Sequence, residues 1–294
     1  MSLKDHLQTR ENIERVSRES WKFSRRAILE QGLGYYDAHP EDVERVRSSL
    51  EFMGLDASPR GVSGALEGIV VHYFEKFFVM VKDFEAHWII ENHVEMGEGL
   101  EWLQEARAAG RGVFVGQSHF GGTYLLVPCL MTQGLDVTFV GLFPGPVFQM
   151  LKSNIDRYSS RWGTGKATLV NVADEGALVP EIMISALGSG DMVMNVFDEN
   201  NAFSREVDLL GRSIWGGSGM DRILSSFDAD RVDVITPFLV RTGDDSFRLE
   251  MDRHSIDSSD VVQDMYASLG KRVAAHPDQW YFLQELHHSF GPVT

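Results

Sequence analysis

The chain is predicted to be an α/β protein: a helical N-terminal region over 1–109, then a core over 110–294 with a mixed, largely parallel sheet flanked by helices. The two parts are expected to form one compact unit. Downstream of Gly110, short apolar runs alternate with longer amphipathic ones, the pattern of strands and helices taking turns. Upstream, apolar residues recur at helical spacing. With 294 residues, 43% of them hydrophobic, the chain can bury a full core, which sets disorder aside as a main theme.

In the first half the spacing predicts helices over 41–52, 62–84 and 97–109, with Pro59 and Gly61 interrupting the pattern between the first two. In the second half the apolar runs 112–116, 137–142, 168–170, 192–197 and 232–240 read as strands. Helices are expected over 121–133, 147–162, 175–187, 218–227 and 258–276. Ligands of such a sheet tend to sit beyond the carboxyl ends of its strands. Internal repeats, low-complexity tracts and Pro-rich linkers are absent from the sequence.

The formal net charge of −16, from 43 acidic against 27 basic residues, disfavours broad contact with nucleic-acid phosphates or an anionic bilayer. DNA is therefore not an expected partner, and a cationic or neutral substrate is favoured. The single cysteine, Cys129, lies in an apolar run and reads as core, in keeping with a reducing cytoplasm. The first twenty residues alternate charges without an apolar stretch, and no window reaches the length of a membrane span. A soluble, cytoplasmic protein without stable membrane insertion is expected.

Chemistry is sought first at Gln117-Ser118-His119-Phe120-Gly121-Gly122-Thr123-Tyr124. There the run 112–116 delivers a histidine onto a glycine-softened helix start. A neutral imidazole can accept a proton, and the N–H groups of a first helical turn can stabilise developing negative charge. A lone histidine at a strand end reads equally as a hydrogen-bonded structural residue.

Ordered blocks carry a family resemblance over roughly 41–290. They are Glu98-Gly99-Leu100-Glu101-Trp102-Leu103, Ala109-Gly110-Arg111-Gly112-Val113, Ser118-His119-Phe120-Gly121-Gly122, Val207-Asp208-Leu209-Leu210-Gly211-Arg212 with Gly216-Gly217-Ser218-Gly219, and His276-Pro277-Asp278-Gln279-Trp280. Together they resemble the bacterial lipid A biosynthesis acyltransferases of the lysophospholipid acyltransferase superfamily, as a divergent soluble member. The resemblance implies an acyltransferase-like core in which Val207 to Gly219 form a strand, a Gly-Arg turn and a helix. It also implies transfer of an acyl group from a thioester, on acyl-CoA or an acyl carrier protein, to a hydroxyl.

In the family pattern an acid follows the histidine after four positions and orients it as general base. Here that place is held by Tyr124, a phenol uncharged near neutral pH. The segment Gly141-Leu142-Phe143-Pro144-Gly145-Pro146 falls where the family has an arginine-bearing turn, and it carries no charge. A phosphorylated glycolipid acceptor, lipid A included, is therefore not expected. Asp198 and Glu199 end the 192–197 strand, so either could replace the missing acid in space, or hold a cationic amine. An ordinary acidic turn is the alternative.

The candidate catalytic residues are thus His119, Tyr124 and Asp198, with Tyr124 orienting His119 or donating to an oxyanion, and the N–H groups of Gly121 and Gly122 forming the oxyanion site. Substrate-binding candidates are Ser118, Phe120, Gly121, Gly122, Glu199, Asn200 and Arg205. Arg205 would grip a phosphate or carboxylate of the donor, or pair with Glu206.

Ser118 is not a nucleophile paired with its neighbour His119, since adjacent extended residues face opposite ways. His287-His288 lacks a second ligand cluster, so no metal is predicted. Gly163-Thr164-Gly165-Lys166 departs from phosphate-loop spacing and reads as a helix C-cap. Tyr73, Phe74, Phe77, Phe78 and Phe84 sit at helical spacing as core, some of them suited to line an acyl tunnel.

The expected function is transfer of an acyl or aminoacyl group from an activated ester or thioester to a small amine, hydroxylamine or hydroxyl acceptor in secondary metabolism, with no bound cofactor. An amine fits the missing acid best, being already nucleophilic when unprotonated. The alternatives are a hydrolase or cyclase using water or an internal nucleophile, and a non-catalytic protein binding an acyl ligand or carrier protein.

Overall fold

The computed structural model describes residues 2–292 except Pro144 and Thr164; those two, and the side chains of Asp83, Phe84, Pro146 and Val147, lie outside the described residues. Helices α1 (Leu3–Leu7), α2 (Arg10–Arg18), α3 (Trp21–Ala38), α4 (Pro40–Phe52), α5 (Pro59–Val81) and α6 (Asp83–His93) come first. Then follow β1 (Val94–Met96), α7 (Leu100–Ala108), β2 (Gly112–Gln117), α8 (Thr123–Thr132), β3 (Val137–Gly141), α9 (Gly145–Trp162), β4 (Ala167–Asn171), α10 (Val172–Glu175), α11 (Val179–Gly188) and β5 (Met192–Val196). The chain closes with β6 (Ser204–Leu209), β7 (Arg212–Gly217), α12 (Gly219–Leu224), β8 (Val232–Arg241), β9 (Phe247–His254), α13 (Val261–Ala275) and three short 3₁₀ turns, Pro277–Gln279, Tyr281–Gln284 and Leu286–Ser289.

Seven strands form one sheet in the order β1-β9-β8-β2-β5-β3-β4, parallel except for the β8–β9 pair. The α/β class and largely parallel sheet are as the sequence predicts. All six residues of β2 are buried at the centre of the sheet, which is why Gly112-Val113-Phe114-Val115-Gly116 reads as a continuous apolar run rather than an alternating one. β5 pairs with β2 so that Val196 lies beside Gln117. The segments leaving these two strands, one bearing His119 and the other Asp198, therefore start side by side.

Several boundaries differ from expectation. The helix predicted over 62–84 is two: α5 starts at Pro59 under a Ser58 cap and ends at Lys82, whose φ of −123° leaves the helical region. The helix predicted from 175 begins at Val179, because Gly176 at φ +51° breaks the chain and Pro180 suits a first turn. After Leu210 and Gly211 the chain does not enter a helix directly. Their positive φ angles, 57° and 74°, make a tight hairpin turn, and β7 returns antiparallel on β6 before α12 begins.

α5 is the central helix of the N-terminal region and is buried on most sides, with Ile69, Val70, Phe74 and Phe78 fully enclosed. Trp21 of α3 wedges edge-on against Phe74, Phe78 and Phe247, and its indole N–H donates to the Asp244 carbonyl beyond β8 (2.9 Å). One hydrophobic core runs through both halves of the chain. Gly68 lets α5 approach the closing segment: a Cβ there would collide with the Asp278 carbonyl. Among the described residues, no helix is long and apolar enough to cross a membrane.

Candidate active site

The loop between β2 and α8 carries His119 and is held largely through its backbone groups. The Gly121 N–H donates to the Gln279 carbonyl (2.9 Å), the Gly122 N–H to the Leu239 carbonyl (2.7 Å), and the Tyr281 N–H to the His119 carbonyl (3.1 Å). Gly121 sits at φ +64°, with a Cβ excluded by the Leu239 carbonyl, so glycine is the residue this turn accepts. The oxyanion site expected from the Gly121 and Gly122 N–H groups is therefore corrected: both donors are already engaged in fixing the loop.

Asp198 sets a carboxylate beside His119, although the residue at the motif spacing is Tyr124. One carboxylate oxygen lies 2.9 Å from His119 Nδ1; the other accepts from the His119 backbone N–H (2.8 Å) and the Trp280 indole N–H (3.1 Å). The Asp198 side chain is fully buried. An ionised carboxylate only accepts, so Nδ1 is the protonated nitrogen and the Nε2 lone pair points away from Asp198. Glu199 Oε1 stands 3.5 Å from Nε2 on the solvent side, its side chain half exposed. Burial pulls the His119 pKa down, but the charge and hydrogen bond of Asp198, with the charge of Glu199, more than offset it and leave it above the ordinary histidine value.

Tyr124 does not orient His119. Among the described residues it makes neither a hydrogen bond nor a ring contact with that imidazole; its ring meets His72 (centroids 4.9 Å apart), and burial holds its phenol protonated. Phe120 is buried against Phe238, turned from the cavity, and bridges in strand fashion to Trp280. Ser118 is also buried, its hydroxyl without a partner among the described residues.

Arg205 is not available to grip a donor: it is bracketed by Asp221 (3.2 Å) and Asp260, and donates to the Glu206 carbonyl. Asn200 ties the C-terminal segment, donating to the carbonyls of His288 (2.6 Å) and Gly291 (2.8 Å). His288 pairs with Glu285, and among the described residues no group of three His, Cys, Asp or Glu is placed to hold a metal.

Sequence reasoning passed over four residues around this centre. His72 of α5, its ring 5.9 Å from that of His119 and stacked on Tyr281 (4.1 Å), is kept neutral by burial. Trp280 stands in the closing His-Pro-Asp-Gln-Trp block, but no spacing reveals that its N–H seeks Asp198. Glu75 and Arg241 form a buried bidentate pair (2.6 and 2.7 Å), and Arg241 also donates to the Gly121 carbonyl (2.8 Å). The sequence signal for this pair is Glu75-Lys76, two charges inside the run 69–81, which holds no other Asp, Glu, Lys or Arg.

His119 opens onto a cavity of about 1070 Å³ lined mainly by apolar side chains, among them Val79, Met80, Val127, Met131, Phe139 and Phe143. That is at the upper end of the size of small-molecule sites. A histidine held by a buried carboxylate and lining a large, mainly apolar cavity suits an enzyme that deprotonates a nucleophile beside an electrophile with an apolar tail. Acyltransferases are enzymes of that class. Residues 69–289 match the family model described as bacterial lipid A biosynthesis acyltransferase, and the chain belongs to that family. No curated protein matches the chain.

Proposed function

We propose that the protein transfers an acyl or aminoacyl group from an activated ester or thioester, such as acyl-CoA or an acyl carrier protein, to a small amine, hydroxylamine or hydroxyl acceptor in secondary metabolism. The observation that carries the reading is the His119–Asp198 pair aimed into the apolar cavity. The family's general activity, acyl transfer, supports it.

In this mechanism the donor lies with its chain in the cavity and its carbonyl near His119. His119 Nε2 accepts the proton of the acceptor as the new bond to the acyl carbon forms, and Asp198 stabilises the imidazolium through Nδ1. The bond to the leaving sulfur or oxygen then breaks, and the imidazolium returns its proton to the leaving group. An acceptor other than lipid A is favoured by the segment after β3, where Leu142 and Phe143 line the cavity and no arginine stands ready for a phosphate.

The test is product analysis by intact mass with a panel of acyl-CoA and acyl-carrier donors and small amine and hydroxyl acceptors, beside His119→Ala. Turnover lost in the variant is expected. Turnover that survives His119→Ala refutes the base, and no turnover by either protein with undiminished donor binding points to a non-catalytic acyl-ligand protein.

A further inference from the structure

The cavity that His119 faces is lined mainly by apolar side chains, but four charged residues, Lys4, Lys76, Glu199 and Arg222, join its lining. Lys76 is the unusual one. It lies one helical turn beyond His72 on α5, on the face that meets His119, and its ammonium stands 5.8 Å above the Tyr124 ring. It is only partly exposed, yet among the described residues neither it nor Lys4 has an ion-pair partner.

A half-buried, unpaired ammonium is costly to hold without an anion. In a chain with 43 acidic residues against 27 basic ones, two lysines lining one cavity, Lys4 exposed and Lys76 partly buried, are not explained by a general surplus of positive charge. Burial, and then the neighbouring Lys4, draw the Lys76 pKa down while the charge of Glu199 draws it partly back; the net is downward, the direction a further bound anion would reverse. Arg205, which the sequence suggests for an anion, is neutralised by Asp221 and Asp260. Arg222, which also lines the cavity, is carried by α12 rather than by α1 or α5.

Charge of the other sign is just as specifically placed. Glu199 lies against His119 Nε2, where an acceptor nitrogen must arrive. We propose that the acceptor is a small amine that also carries an anionic group, its nitrogen between His119 and Glu199 and its carboxylate or phosphate against Lys76 and Lys4.

This rests on the acyl-transfer reading and narrows its acceptor. The ammonium form first loses one proton to Glu199 and thence to water. The free amine attacks the acyl carbon, a C–N bond forms, and the second proton passes through His119 Nε2 to the departing thiolate as the C–S bond breaks. Amide, free thiol and one proton are the products.

The experiment compares three acceptors of similar size, ethanolamine, β-alanine and O-phosphoethanolamine, with decanoyl-CoA as donor. Thiol release is read in wild type, Lys76→Gln, Lys76→Arg and Lys4→Gln, and acceptor binding is followed separately by calorimetry without donor. At least one anionic amine is expected to exceed ethanolamine in kcat/KM by about tenfold or more, as a charged hydrogen bond implies. Lys76→Gln should erase that preference through acceptor KM, and Lys76→Arg should restore much of it. Which anionic amine is preferred distinguishes carboxylate from phosphate.

Equal use of ethanolamine overturns the proposal, as does a Lys76→Gln effect on donor KM instead, which would assign the lysines to the donor. If no acceptor turns over, acyl transfer itself is in question and calorimetry decides the subsite. Binding of an anionic amine that Lys76→Gln abolishes upholds it, and absence of heat with both overturns it.

Discussion

Asparagine at position 198 keeps the shape of the side chain and exchanges an acceptor oxygen for an NH₂ donor. Asp198 receives N–H groups on both oxygens, two on one and the imidazole Nδ1 on the other. The asparagine carbonyl best faces the doubly occupied side, which sets its NH₂ against Nδ1. His119 must then carry its proton on Nε2, and the nitrogen facing the acceptor can no longer take one. The same tautomer reversal in a serine protease costs about 10⁴ in kcat, or about 5.5 kcal/mol of transition-state stabilisation. A loss of that order in kcat is expected for Asp198→Asn, with donor KM little changed.

The pH dependence gives a second readout. Because Asp198 and Glu199 raise the His119 pKa despite burial, wild-type kcat/KM should rise with pH through a value above the ordinary ~6.5 of histidine. The residual activity of the variant should lose that limb to lower pH. For stability the sign is opposite: a pKa raised by folding stabilises most fully below ~6.5 and fades as pH climbs through the folded value. Urea titrations at about pH 6 and about pH 9 should therefore show the larger deficit of Asp198→Asn at the lower pH. A kcat within about tenfold of wild type, together with an unmoved acid limb, would refute the dyad.

Trp280→Phe removes one donor from a buried carboxylate and should cost about 1.5–3 kcal/mol in urea unfolding, with a fall in kcat. Tyr124→Phe separates two roles: an oxyanion donor would cost about 10²–10³ in kcat, whereas a phenol that does not touch His119 should cost less than about tenfold. Arg241→Ala leaves Glu75 buried without its partner and should destabilise by about 3–5 kcal/mol, measured by urea unfolding.

Much of this was legible in the chain because the relevant signals are local. The apolar runs of β2, β3, β5 and β8 are periodic over consecutive residues, and His119 falls where one of them stops. The strand β9 carried its own signal, Phe247, Leu249 and Met251 alternating with Arg248, Glu250 and Asp252, but it pairs antiparallel at a place where the alternating pattern of the core promises another parallel unit. Asp198 was readable only as one of two acids at a strand end, since its distance from His119 depends on β5 lying beside β2. The engaged Gly121 and Gly122 N–H groups were not readable at all: their acceptors, Gln279 and Leu239, are more than a hundred residues away.

Those distant acceptors have a consequence for the order in which the protein becomes competent. The residues that grip the histidine loop, Gln279 and Tyr281, and the indole that steadies its acid, Trp280, are translated about 160 residues after His119 itself. A growing chain can assemble β2 and β5 early, yet His119 lacks these contacts until residues 279–281 have left the ribosome and closed over the loop. Alignment of His119 is thereby coupled to synthesis of residues 279–281, and copies broken off before them carry the histidine without its fixed surroundings.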